Sequence, residues 1–458
     1  MKILFCIYQL DFADHIALAY LSAVAKQRGH QTFLCILHTD HLAEKVAFIQ
    51  PEVVAYSANI WGFKEMIKAH KEVSQTHRFV SILGGPQATF SPETFAESGM
   101  DAYCMGEGEW AFRDFLACLE NGKPFDDVEN LITARKSNPV RPVINPLDDL
   151  PFPDRDLTLS NSFLKDTLKK TFYATRGCPY RCNYCCNNLL HELYKGKGPL
   201  VRRFSVERVI QEMEYVKARY KMVFVKMGDD LFAPRADAWL EEFTDKYPRR
   251  IGLPFNCFLR FDIVDDALLV LLKKAGCYSV HLSVDSASDD IRERILGRQM
   301  KKVAVVEKLK LIRSYGINTW VNYMLAAPES TLKDDLNTIS MSRKGQVTYP
   351  AFSTTVPMKG TALYAYCAKH GLIDPATFVG DMSGCNRPSE LACFSRKEKK
   401  IRFNIYLLGA IIARLPSPLY QLAIWLINIV PPNKWFLKLR QKYYLYNIEN
   451  NIFRLHSA

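Results

Sequence analysis

A chain of 458 residues with 48% hydrophobic and 24% charged side chains is long enough for two or three cored domains, which excludes a disordered or low-complexity polymer. Thirteen cysteines and no basic, apolar leader argue against a disulfide framework and for a reducing compartment, so a cytoplasmic protein is expected. The net charge of +12 invites a nucleic-acid partner, but much of the excess lies beyond Arg396, interleaved with apolar stretches, and no RNA-binding module is evident.

The first third alternates apolar strands with helical segments, the pattern of a parallel doubly wound sheet. Strands are expected at residues 2–8, 31–37, 53–57, 79–83 and 101–105, and helices at 16–27, 41–49, 61–75 and 109–119. Ligands of such sheets bind beyond the carboxyl ends of the strands. Those ends carry Ser57, the run Gly84-Gly85-Pro-Gln-Ala-Thr89, and Gly106-Glu107. Glycine there either lets the backbone approach a bulky ligand or makes a tight turn. Residues 1–135 are read as this domain and 136–164, which include Leu150-Pro-Phe-Pro-Asp-Arg155, as a linker.

Next comes Thr175-Arg-Gly-Cys-Pro-Tyr-Arg-Cys-Asn-Tyr-Cys185, which offers three thiolates from one short loop. Thiolates are the soft ligands that iron–sulfur clusters select, and three of them leave a fourth iron open. A zinc site remains the alternative, though it generally needs a second ligand pair, and neither His191 nor Cys257 supplies one at a suitable spacing. Cys186 either substitutes for a neighbouring ligand or packs behind the loop.

Residues 165–360 repeat strand and helix. Strands are expected at 172–175, 222–227, 255–260, 278–284, 318–325 and 347–356, with the cysteine loop after the first, which makes an open (β/α)6 barrel. Reactive groups of barrels gather at the carboxyl ends of the strands, where this chain places Gly228, Asp229, Asp230, Arg260, Asp285 and Ser286, with Asn322 in the fifth strand. Helix capping is the alternative role for Asp230 and Asp285. Residues 361–458 read as a helical region with two short apolar helices near 403–413 and 419–430, neither long enough to span a bilayer. They suit a lid over the barrel mouth or a membrane-surface contact, and either would give a hydrophobic approach to the site.

The CxxxCxxC array, with Tyr184 before its last cysteine, resembles the signature of the radical S-adenosylmethionine (SAM) superfamily. That resemblance implies a [4Fe-4S] cluster on Cys178, Cys182 and Cys185, and reductive cleavage of SAM with electrons from a flavodoxin- or ferredoxin-type donor. It places Gly228 and Asp229 at the SAM amino group and Asp285 and Ser286 at its ribose and carboxylate. Where the family usually has glycine before Pro-Glu, this chain has Ala326 and Ala327. The glycine-bearing sheet upstream is similar to the cobalamin-binding domain of one radical SAM branch, which adds cobalamin as a cofactor. The DxHxxG signature is absent: the first strand leads into Gln9-Leu-Asp-Phe-Ala-Asp-His15, so cobalamin without histidine ligation is expected and His15 is read as a helix start. The function so implied is methyl transfer to an unactivated carbon of a hydrophobic or lipid-like molecule. The alternatives are cyclisation, rearrangement or oxidation with the same cofactors, or electron transfer without SAM cleavage.

Overall fold

Every residue from Ile3 to Ile7 is apolar, and such a run is stable as a central strand covered on both faces. It forms β1 (Lys2–Ile7), with Ile3, Phe5 and Ile7 in one core and Leu4 and Cys6 in the other. The computed structural model describes residues 1–10, 15–60, 62–300, 303–380 and 382–456. Residues 11–14 and Trp61, which was expected to open a helix, lie outside them, and that helix is seen from Phe63 to Ser74. The chain divides into two units. The first is Met1–Thr167 with Leu189–Phe204 and Tyr215–Lys221, and the second is Leu168–Asn188 with Ser205–Glu214 and Met222–Ala458.

In the first unit β2 (Gln31–Ile36), β3 (Val53–Ser57), β4 (Val80–Gly84) and β5 (Ala102–Cys104) join β1 in parallel, in the order β2-β1-β3-β4-β5. The direction of winding reverses between β1 and β3, which leaves a crevice at their carboxyl ends. A short strand missed in the sequence, β6 (Leu131–Thr133), adds antiparallel to β5. Residues 136–164 were expected as a linker but belong to this unit. Asn138 donates to the carbonyls of Asp126 and Leu131, the Asp154 backbone amide donates to Ala19, and Arg155 is fully buried.

The second unit is built on β7 (Lys169–Phe172), β8 (Phe224–Met227), β9 (Phe255–Phe258), β10 (Cys277–Asp285), β11 (Asn318–Leu325) and β12 (Tyr349–Thr354). All six are parallel and neighbour one another in chain order, as an open (β/α)6 barrel requires. Alternation divides the two faces. Phe255 and Tyr323 turn outward: Phe255 packs on Phe243 and Tyr247 of the helix Ala238–Arg250. Lys226, Asn256, Phe258, Ser279, His281, Trp320 and Asn322 point inward. The first strand lies three residues earlier than expected, because Lys169 and Lys170 interrupt its apolar pattern although Lys170 is buried.

The C-terminal region departs from a lid over the barrel mouth, one of the two roles expected of it. A helix at Arg396–Ile412, started by a Ser395–Glu398 capping box, runs along the edge strand β12 and the helix Leu332–Lys344. Arg402 inside it pairs with buried Asp335 at 2.5 Å and donates to the Ser330 carbonyl at 2.9 Å. Helices at Ser417–Ile429 and Lys434–Asn447 lie against it, and the second was not expected. The last turn, Ile448–Ile452, closes the amino end of the barrel. Ser279 Oγ donates to the Ile452 carbonyl at 2.7 Å, and the Phe453 ring lies 5.4 Å from Phe224 and 6.1 Å from Trp320. An edge strand needs cover and an open barrel needs a floor, and these segments meet both needs. At the carboxyl end of β12, Thr354, Val356, Phe378, Arg387 and Leu391 are among the residues that line a cavity of about 240 Å3. No helix among the described residues is long and apolar enough to cross a membrane.

Candidate functional site

The cysteine loop leaves the carboxyl end of β7 and is held by backbone contacts. Cys185 N–H donates to Cys182 O at 3.1 Å, Asn183 N–H donates to Leu296 O at 2.9 Å, and Leu363 N–H donates to Asn183 O at 2.9 Å. Gly297 lets Asn183 approach, since a Cβ there would stand 2.6 Å from Asn183 Oδ1. Burial pushes the Cys178 thiol up to about 11 and raises Cys182, while Arg298 and Arg260 beside Cys182 pull its pKa the other way. The Cys186 thiol draws Cys185 down to about 7. No three His, Cys, Asp or Glu side chains among the described residues are gathered tightly enough to share one metal ion. Thiolates of a cubane bind separate irons and need not converge on one point.

Asp229 ties the loop to the second strand. Its Oδ1 accepts from Ala174 N at 2.8 Å, Thr175 N at 2.5 Å and Thr175 Oγ1 at 2.8 Å. Its Oδ2 is buried without a hydrogen-bond partner among the described residues, and burial raises the carboxyl to about 6. A buried acceptor that the protein leaves unsatisfied fits a cationic ligand group. Gly228 is obligatory here, because a Cβ would meet the Tyr173 ring and Thr171 within 2.8 Å. Asp230 does not cap the following helix. Asp237 does, and Asp230 accepts from Asn187 Nδ2 at 3.1 Å, while Asn187 also reaches Cys185 Sγ at 3.7 Å.

Asp285 is engaged within the protein. It sits at φ +68° at the end of β10, accepts from the Tyr184 hydroxyl at 2.6 Å and pairs with Arg298 Nε at 3.1 Å. Arg298 also donates to Tyr184 Oη at 3.1 Å and to Ser283 O at 2.8 Å. The acid was expected to cap a helix or face a ligand, and instead it anchors the aromatic residue of the cysteine loop. Ser286 turns the chain: its hydroxyl accepts from Ser288 N–H and its carbonyl from Arg292. Arg260 stacks on Tyr180 with Cζ 3.4 Å from the ring centre, pairs with Asp262 at 2.9 Å and lies 3.9 Å from Cys182 Sγ. Ala326 holds φ +57°, the conformation that explains a glycine at this place in the family.

Sequence reasoning missed the inward face of the barrel. The rings of Phe258, His281 and Trp320 form a continuous stack with centroids 4.2 and 4.3 Å apart, beside Asn322. Lys226 Nζ lies 5.4 Å from the Phe258 ring centre and has no ion-pair partner among the described residues. Burial lowers Lys226 from its usual value and holds His281 neutral, near 3. A lysine inside the apolar run of residues 222–227 was the available signal.

In the first unit Ser57, Gly84 and Gly85 meet at the carboxyl ends of β3 and β4. Gly85 has φ +87°, a Cβ on it would stand 3.0 Å from Ser57 Oγ, and nothing lies within 4 Å of one on Gly84. Open backbone at Gly84 is the cradle a large flat ligand needs. Gly106 and Glu107, expected in the same role, are used internally. A Cβ on Gly106 would lie 2.1 Å from Tyr194 Oη, and Glu107 takes both Arg202 guanidinium nitrogens at 2.6 and 2.9 Å and Ile144 N–H at 2.8 Å. His15 stands at the start of the helix Ile16–Gln27 without a capping side-chain bond. A cavity of about 500 Å3, lined by Gln9, Leu10, Ile36, His38 and Phe163 among others, opens at the ends of β1 and β2.

A sheet with an open cradle at its crevice, and a barrel with three thiols and an unsatisfied carboxylate at its mouth, define a cofactor-dependent enzyme of two αβ units. The radical SAM superfamily model matches residues 172–337 and the B12 binding domain model residues 11–116. The chain belongs to the radical SAM enzymes that carry a B12-binding domain, whose cofactors are a [4Fe-4S] cluster, SAM and cobalamin.

It is 24% identical over 375 residues to an uncharacterized methyltransferase, PH0819, of Pyrococcus horikoshii, covering 78% of this chain and 79% of that one. It is 23% identical over 353 residues to the anaerobic magnesium-protoporphyrin IX monomethyl ester cyclase of Rubrivivax gelatinosus, 71% of this chain and 61% of that one. The solved structure of the methyltransferase TsrM of Kitasatospora setae with cobalamin and a [4Fe-4S] cluster aligns with a TM-score of 0.69 at 15% identity, over 98% of this chain and 99% of that one, and so shares the fold.

Proposed function

We propose that the protein is a methyltransferase that places a methyl group on an unactivated carbon. The observation that carries this reading is the cysteine loop beside the unsatisfied Asp229 carboxylate, in a chain that also holds a cobalamin-binding unit. The bound cofactors supply one-electron cleavage of SAM and methyl transfer. With them bound, each methylation would consume two molecules of SAM, one yielding S-adenosylhomocysteine and the other, with an electron from an external donor and the hydrogen atom removed from the substrate carbon, yielding methionine and 5′-deoxyadenosine. The chain's own residues bind and orient: Cys178, Cys182 and Cys185 hold the cluster, Asp229 Oδ2 receives the SAM ammonium, and Ser57, Gly84 and Gly85 receive the corrinoid face.

The substrate meets the inward face of the barrel. The Phe258–His281–Trp320 stack suits a flat hydrophobic body, and unpaired Lys226 suits an anionic group on it. The substrate of this reading is therefore hydrophobic with an acidic end. Its other partners are a flavodoxin- or ferredoxin-type reductant and, through the C-terminal helices, a membrane surface.

Anaerobic reconstitution with cobalamin, reductant and SAM tests the activity. S-adenosylhomocysteine should form alongside 5′-deoxyadenosine during turnover. Its absence would sink methyl transfer and leave cyclisation, the reaction named for the Rubrivivax relative.

A pH series tests Asp229. The ammonium needs the ionised carboxylate, whose pKa in the free protein is raised to about 6. SAM affinity is expected to weaken as pH falls through that value, approaching tenfold per pH unit below it. Equilibrium dialysis of labelled SAM should give that slope in the natural protein and a flat line in Asp229→Asn, which keeps the acceptor for Thr175. A slope of unchanged size in the variant would assign the titration to another group.

A further inference from the structure

The helices Ser417–Ile429 and Lys434–Asn447 spend little of their surface on the protein: in each, a single side chain is buried, Ile427 and Asn447. In the first, Leu419, Leu422, Trp425, Leu426 and Ile429 repeat at intervals of three and four, all 39–58% exposed. That spacing puts them on one face, and the face is turned to solvent. In the second, Trp435, Leu439 and Tyr446 follow the same period, 78%, 49% and 62% exposed, with Lys438 and Lys442 between them and Lys438 Nζ 5.4 Å from the Trp435 ring centre. Ten of the seventeen exposed large hydrophobic residues among the described residues lie between Leu419 and Tyr446. Monomeric surfaces rarely concentrate apolar groups in this way without a partner.

Charge decides which partner. From Lys399 to Ile448 the sequence contains eight lysines and arginines and no acidic residue. We propose that these two helices seat in the surface of an anionic lipid bilayer, lying in its plane with Trp425 and Trp435 at headgroup depth and Lys434, Lys438 and Lys442 on lipid phosphates. A second copy of the chain would bring like charges together, whereas an anionic bilayer satisfies the apolar face and the lysines at once. The inference goes beyond the catalytic reading and does not depend on it.

Flotation of the full chain with vesicles tests it. The protein should rise with phosphatidylcholine vesicles containing about one third phosphatidylglycerol, and should be released by salt. Lys438→Gln with Lys442→Gln should weaken binding roughly thirtyfold, the product of about fivefold per lysine. Trp425→Ser with Trp435→Ser should abolish it, with SAM cleavage unchanged in all four substitutions. Failure to float, or equal flotation with pure phosphatidylcholine, would overturn the proposal. Dimerisation in sedimentation that the tryptophan substitutions abolish, without flotation, would overturn it in favour of a second copy.

Discussion

Cys182→Ala is expected to reduce SAM cleavage to the background of protein without iron, a loss of at least about a thousandfold. Cys182 is the buried member of the three thiols, 6% exposed, and the one flanked by two arginines. Alanine leaves two of the three thiols of the loop, and the guanidinium of Arg260, 3.9 Å from the lost sulfur, faces no thiol. Iron content after anaerobic reconstitution and 5′-deoxyadenosine by chromatography give the two readouts. Cys186→Ala, which removes an exposed thiol beside the loop, should keep both. Full activity in Cys182→Ala would overturn the cluster assignment, and loss in Cys186→Ala with retention in Cys185→Ala would move one ligand by a single position.

Arg298→Met is expected to cost about 3–5 kcal/mol of stability, because it strands the Asp285 carboxylate in a site where both side chains are under 10% exposed. It also removes donors from Tyr184 Oη and Ser283 O. Asp285→Asn in the same chain should recover most of the loss, since a stranded buried charge costs more than the absence of the pair. Denaturant unfolding of the barrel followed by tryptophan fluorescence measures both, Trp320 lying inside it. A loss below about 1 kcal/mol in the single variant would show the pair to be solvated. The surviving fold of the double variant then separates stability from cluster binding: Tyr184 immediately precedes Cys185 and lies two residues after Cys182, so looser anchoring should lower iron retention even where stability returns.

Much of this architecture is legible in the chain. The strands at Val53–Ser57 and Asn318–Leu325 and the helix at Ile16–Gln27 begin and end where periodicity and flanking residues place them. The cysteine spacing identifies the loop, and the carboxyl ends of the strands identify Gly228 and Asp229. What escapes depends on contacts across long separations. Glu107 reads as a residue beside a ligand because its partner Arg202 is 95 positions away. Asp285 reads as a ligand contact or a cap because Arg298, past an irregular turn, leaves no periodic trace. The C-terminal helices read as a lid or a membrane-surface contact because apolarity shows that a face is covered or exposed but not what it lies against. Asp154 tells the same story for the supposed linker, since Lys26 and Ser22 hold it at 2.7 and 2.5 Å.

The floor of the barrel joins its first half to the far end of the described chain. The cysteine loop stands more than two hundred residues before the segment that closes the barrel beneath it. Without residues 448–453 the Ser279 hydroxyl would lose the Ile452 carbonyl and the rings of Phe224 and Trp320 would lose Phe453, so the strands that carry the cysteine loop at one end depend at the other on a segment far along the chain.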